Sequence, residues 1–454
     1  MKKISKNIFN SLKKIFSQKT WATLKCVPRV LRLGDKIILT GFGFLILISG
    51  FFIWQNNWLK TTQEVPASGG ILIEGIVGEA KDLDKHTSRL TGAGLTRLVE
   101  NGDVKGDLAE SWEILDEGKT YQFKIRPGYS ASDLLNQIKN KNVWGSIDMS
   151  APDEQTLVFK FKSPFSPFLY VSTEPIFSYG PYQISKEEKG KVTLSANKDY
   201  WQGSPNISTI EINLYTDQTA LLKAAKNSEI MSYMRENKED YQIDDATTFN
   251  YTLPRELNLF FNLSRPELTH KDWRQNLRDN KPLPQEMNWT LATSDTPKNI
   301  QIAEGLKIKW QALKVNITVK TYNNIELQKD IIPARNYDLL LYGQDYGPDP
   351  DPYPFWHSSQ AKTGSNLSNY SNKKADKLLE DARQSFDFAI RDQKYKEFRD
   401  ILADDVPYIN IEKDSIDLVI SNKVKGITKI FGFSEADRFL DINQWYIKSK
   451  RVKI

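Results

Sequence analysis

The sequence predicts an α/β protein of two lobes, displayed behind a single membrane-spanning helix. Three observations lead there. Residues 37–54 are 18 consecutive uncharged, mostly apolar positions. The stretch 71–454 is too long for one compact core. Within it, strand patterns interleave with helical ones, as in α/β chains.

The apolar run comes first. Eighteen helical residues rise about 27 Å, enough to cross the hydrocarbon core of a bilayer. Residues 1–36 carry ten Lys/Arg against one acid, Asp35, while the remainder has 52 basic and 56 acidic residues. The net charge of +5 is thus a topology signal and implies no nucleic-acid partner. Positive charge on the N-terminal side keeps residues 1–36 in the cytoplasm and places the bulk of the chain outside. Trp54 and Trp58 stand where an interfacial aromatic belt anchors the outer end. A cleaved signal peptide is the rival reading, but its apolar region is normally about 7–15 residues. The nearest small-residue pattern, Val65-Pro66-Ala67, lies well beyond the run, so a retained anchor at 37–54 is expected. In the tail, Ile4, Ile8, Leu12, Ile15 and Phe16 recur at helical spacing among lysines. An interfacial helix on an anionic leaflet and a disordered basic tail both fit. The single cysteine, Cys26, precedes the span, so the outer part is expected to fold without disulfides.

Residues 55–70 are polar, end in Pro66-Ala67-Ser68-Gly69-Gly70, and read as a linker. Strands are then expected at 71–77, 120–125, 156–161, 207–215, 257–263, 315–321, 337–342, 408–411 and 418–420. Helices are expected at 219–226, 272–277 and 300–313, with one or two between 372 and 405.

Catalytic signatures are scarce. Three histidines, His86, His270 and His357, are scattered. Gly128-Tyr129-Ser130-Ala131-Ser132 fails the nucleophile-elbow pattern at its last position, and neither a zinc-protease pair nor a phosphate loop is present. The chain is not expected to be an enzyme or to need a cofactor, although its many carboxylates leave a two-carboxylate hydrolase open. The densest unusual segment runs from Tyr342 to His357. There an apolar strand feeds directly into acids, prolines and aromatics. An acid beside aromatic faces suits an ammonium group, while a rigid turn capped by aspartates is the equal alternative. Asp345, Asp349 and Asp351 lack the glycine turn and closing glutamate of a calcium loop.

At this point the chain resembles a known family. Leu95 to Glu100 with Gly106 to Glu113 and Tyr121 to Arg126 form one block. Gly180-Pro181-Tyr182 with Asn197 to Trp201 forms a second, and Leu259 to Leu263 with Trp273-Arg274-Gln275 a third. The segment from Tyr342 with Asn366 to Tyr370, continuing to Pro407, is the fourth. Their order resembles the dipeptide, oligopeptide and nickel type (family 5) of extracellular solute-binding proteins that serve ABC importers.

That resemblance implies a two-lobed, periplasmic-binding-protein-like type II fold, preceded here by the N-terminal transmembrane helix, which departs from the family's soluble or lipid-anchored habit. Residues 71–258 would form most of lobe I, with a reduced extra subdomain near 127–180. Residues 259–414 would form lobe II, and 415–454 would return to lobe I. A peptide or other small solute would lie between the lobes and be passed to ABC permease subunits. Asp345 would pair with a peptide α-amino group with Tyr342 close by; Tyr346 and Trp356 are further ligand-binding candidates of the same segment, and Asn262, counted with them, would sit at the passage between lobes and chiefly position the backbone. Arg335 is the basic residue considered for a peptide carboxylate. The other functions left open are a surface-anchored adhesion or assembly protein and, third, a cell-wall hydrolase.

Overall fold

The computed structural model describes residues 32–454 apart from Asn101, Ser146, 236–244, Pro348 and Pro350. The basic tail expected as an interfacial helix or a disordered segment lies outside the described residues. The chain divides into two compact units, residues 67–448 and a smaller one comprising residues up to Pro66 together with Ser449–Ile454.

In the smaller unit a 29-residue helix, Leu33–Thr61, is long and apolar enough to cross a membrane. Its apolar residues are exposed all along its length, among them Ile37, Phe42, Leu47 and Ile53. Trp54 and Trp58, one turn apart, stack at 6.0 Å. The linker expected at 55–70 takes a different form. The helix continues to Thr61, and Thr62–Ala67 is a strand paired with Lys448–Lys453. Arg451 fixes this pairing, its guanidinium donating to Thr62 Oγ1 and to the Thr62 carbonyl at 2.9 Å. The polar composition of 62–67 concealed the strand because its pairing partner lies at the far end of the sequence.

The larger unit is built on a ten-stranded mixed sheet. From one edge its strands are Val315–Tyr322, Met287–Ser294, Leu339–Asp345, Ala246–Phe261 and Tyr408–Ser421, then Ser232–Arg235, Ile71–Val77, Thr209–Tyr215, Lys191–Ala196 and Tyr182–Glu188. Leu339 and Leu341 belong to one apolar cluster, with Leu259, Phe261, Trp289 and Trp310. Leu340 belongs to another, with Phe260, Trp356 and Tyr370. A strand covered on both faces reads as a continuous apolar run rather than an alternation, which is why 337–342 stood out in the sequence. Leu72, Ile210, Leu418 and Trp445 share a separate core. Further along the chain, a four-stranded antiparallel sheet, Ala109–Leu115, Thr120–Ile125, Thr156–Lys160 and Asp148–Ser150, carries the helix Ala131–Asn140. Its aromatic core contains Tyr121, Phe123, Phe159 and Phe168.

Two long antiparallel strands, Ala246–Phe261 and Tyr408–Ser421, run from the Leu72 core to the Leu259 cluster of the ten-stranded sheet and pair along most of their length. The pairing jumps from Thr252–Ser415 to Glu256–Lys413 and shifts again between Leu257 and Asn258. Pro254 falls inside the first jump. A proline lacks the N–H that a central ladder requires, so it is accommodated at a bulge, and a bulge re-aims the side chains beside it. Arg255 and Glu256 are the residues re-aimed.

Candidate solute site

The strand Leu339–Asp345 runs antiparallel to the bulged strand, with Asp345 opposite Arg255, Gln344 opposite Glu256 and Tyr342 opposite Asn258. Two cavities open beside the end of Leu339–Asp345 and the bulge in its neighbour.

The first, of about 390 Å³, is lined by charged groups that include Arg255, Lys298, Asp345, Glu412 and Asp414. Asp345 is exposed, and its Oδ1 accepts the Gly347 N–H at 2.9 Å. The Arg255 guanidinium pairs with Glu435 at 2.6 Å and with Asp414 at 3.1 Å. Burial opposes the charge on Arg255, but Glu435, Asp414 and Asp345 together hold its pKa above the usual arginine range.

The second cavity, of about 460 Å³, is mainly aromatic and apolar, with walls including Tyr170, Tyr346, Trp356, Phe398, Tyr408 and Phe433. Such a volume, with aromatic walls and few polar groups, is the usual character of a small-molecule site. Tyr346 is held by its backbone N–H donating to the Pro254 carbonyl at 2.8 Å and its hydroxyl donating to Gln344 Oε1 at 3.0 Å. Trp356 packs on Tyr408 with ring centroids 4.9 Å apart.

The structure therefore divides the residues expected to bind solute. Asp345 opens on the charged cavity, and Tyr346 and Trp356 on the aromatic one. Tyr342 lines neither; it is half-buried, and its hydroxyl accepts from Gln328 Nε2 at 3.2 Å. Asn262 is fully buried. Its Nδ2 donates to the carbonyls of Tyr337 (2.8 Å) and Arg335 (3.2 Å), and its Oδ1 accepts from Ser264 and Asn369. Every hydrogen-bonding group of that amide is engaged inside the protein, which makes it a backbone brace. The Arg335 guanidinium is likewise committed, donating to the carbonyls of Ile332, Ala361, Gly364 and Asn366.

The other acids of the segment face inward. Asp349 and Asp351 are both buried, Asp349 paired with Arg391 and Asp351 with Arg383 at 2.8 Å. Among the described residues, no three His, Cys, Asp or Glu side chains converge as a metal ion requires.

Residues 131–278 match the sequence profile of the bacterial extracellular solute-binding proteins, family 5 Middle. Over that segment the chain resembles the family 5 extracellular solute-binding proteins, as its motif blocks do. It is similar to the probable D,D-dipeptide-binding periplasmic protein DdpA of Escherichia coli K12, 21% identical over 77% of this chain and 90% of that one. Its fold matches that of the oligopeptide-binding protein AppA from Bacillus subtilis, solved in complex with a nonapeptide. There the TM-score is 0.65 at 18% identity, covering 85% of this chain and 100% of that one. NikZ from Campylobacter jejuni, in complex with Ni(L-His), matches with a TM-score of 0.63 at 19% identity, over 83% and 99% of the two chains. The expected two-lobed type II, periplasmic-binding-protein-like fold is thus the fold of this chain.

Sequence reasoning passed over Glu256, Tyr408 and Tyr170, all of which line the aromatic cavity. The one local signal was Pro254, whose place inside a strand pattern marks a bulge. Tyr170 carries no such signal, because it reaches the cavity from a distant part of the chain.

Proposed function

We propose that this chain is a membrane-anchored extracellular solute-binding receptor for peptides, serving an ABC importer. The observation that carries the reading is the site's two-part chemistry. An exposed carboxylate, Asp345, and an aromatic cavity meet at the end of one strand. A peptide offers an α-ammonium for the first and side chains for the second. Ligand stabilises the closed arrangement, and permease subunits recognise that state. Energy for transport comes from partner ATPases, and this chain supplies capture alone. The helix Leu33–Thr61, with cationic residues upstream and apolar side chains exposed along its length, supports single-pass anchoring with the N-terminus inside.

The test is thermal unfolding of the full chain in detergent micelles against di- to pentapeptides, sugars and free amino acids. A ligand of the folded state at 100 times its Kd adds about 2.7 kcal/mol. A peptide hit that Asp345→Ala abolishes is expected. Stabilisation by sugars alone would discard peptides as the solute class. Silence across the whole panel would favour the adhesion or assembly role.

A further inference from the structure

Among the described residues, only Glu256 lines both cavities. The bulge at Pro254 turns it to the point where the charged cavity meets the aromatic one. Its side chain is 19% exposed, and its ion partner, Lys413, stands 3.5 Å away and is 67% exposed. A pair so long and so wet contributes little, so a better-seated cation can displace Lys413. The other charged group on the aromatic cavity, Arg399, is 58% exposed and pairs with Asp392 at 3.7 Å. The rings of Tyr346, Trp356 and Tyr408 supply faces to the same space. A carboxylate beside several aromatic faces, in a cavity with apolar walls, is the chemistry that holds an alkylammonium or guanidinium group.

We propose that Glu256 is a specificity-determining residue, selecting solutes whose second positive charge, on a lysine- or arginine-like side chain, enters the aromatic cavity. This rests on the peptide reading above, with Asp345 taking the first charge. The tyrosine hydroxyls agree with the placement of the carboxylate. Burial chiefly, and then the Glu256 charge, pushes Tyr408 up to about 12, and Tyr346 is raised by burial with Tyr408 and Glu256 adding to it.

The experiment is calorimetric titration of the full chain in micelles with Ala-Lys-Ala and with its norleucine analogue, which has similar bulk but no ammonium. Wild type is expected to prefer the lysine peptide by about tenfold or more, and Glu256→Gln to reduce that ratio to within about threefold. Equal affinities in wild type, or a preference that survives Glu256→Gln, would overturn the role of Glu256. Failure of wild type to bind either peptide would instead sink the peptide reading itself. Asp345→Ala keeps the two failures apart, since under that reading it weakens both peptides.

Discussion

Residues within the Tyr342–His357 segment look alike in sequence and differ sharply in surroundings. Asp345 is exposed, whereas Asp349 is buried against Arg391, with Asp351, Arg383 and Tyr395 around it. Burial pushes the Asp349 carboxyl up to about 6, outweighing the opposing pull of Arg391. A carboxyl with a folded pKa above its unfolded value favours the fold fully below the unfolded value, and that contribution disappears as pH rises through the folded one. Wild type should therefore lose roughly 2–3 kcal/mol between about pH 4 and 6 relative to Asp349→Asn. Urea titrations of both proteins across that window check this, and parallel profiles would remove the assignment. At Asn262 the expectation concerns stability. Asn262→Ala orphans several buried backbone and side-chain partners and should cost about 2–4 kcal/mol. A loss below about 1 kcal/mol in urea melts would show the brace to be dispensable.

Elements were legible where their own residues decide them. Ile71–Val77 and Thr120–Ile125 formed where read, the first from its run of β-favouring apolar residues and the second from its alternation. The long strands were read only in fragments. For Ala246–Phe261, sequence reasoning recovered 257–261, since Thr247, Thr248 and Asn250 are polar and Pro254 interrupts the pattern. Pairing with Tyr408–Ser421 overrides that local preference. The helix Phe388–Asp405 shows a similar dependence at its C-terminus. It ends at Val406 with φ +48°, a costly conformation for a β-branched residue. Arg274, almost fully buried, donates to the carbonyls of Val406 at 2.9 Å, Asp405 at 2.5 Å and Leu268 at 2.6 Å. Two of these donors satisfy carbonyls that the helix end leaves open, and the third ties that end to Leu268. A lysine ammonium cannot span three separated carbonyls. Arg274→Lys is therefore expected to destabilise by about 2–3 kcal/mol, read as a lower urea midpoint with unchanged slope. A shift within experimental error would mean that water caps the helix equally well.

At the scale of the molecule, the helices Lys373–Gln384 and Phe388–Asp405 meet the four-stranded sheet through their connecting corner. Phe386 lies against Tyr121, with ring centroids 6.2 Å apart, and against Gly118. A Cβ at Gly118 would sit 2.1 Å from that ring, so only glycine admits the contact. The Ser166 N–H donates to the Arg383 carbonyl at 2.9 Å, and the Arg383 guanidinium lies 5.0 Å from the Phe165 ring centroid. This corner acts as a clasp between elements that follow one another only after more than 200 residues. Phe386→Ala should increase the radius of gyration of the ligand-free protein in X-ray scattering and speed solute release about tenfold. Unchanged scattering and release would show that the corner rests on the sheet without holding it.

The sequence by itself determined the apolar helix, the α/β class and the family pattern, because each depends on residues that are neighbours in the chain. It also singled out the segment from Tyr342 to Trp356, where a buried strand breaks into acids and aromatics within a few residues. The tertiary structure decided which of those acids reaches an open cavity. Asp349 and Asp351 were withdrawn by arginines at 391 and 383, too distant in sequence to be paired by spacing. It also brought Glu256 and Tyr408 to the same wall, because strand register and a bulge, rather than local composition, set where those side chains point.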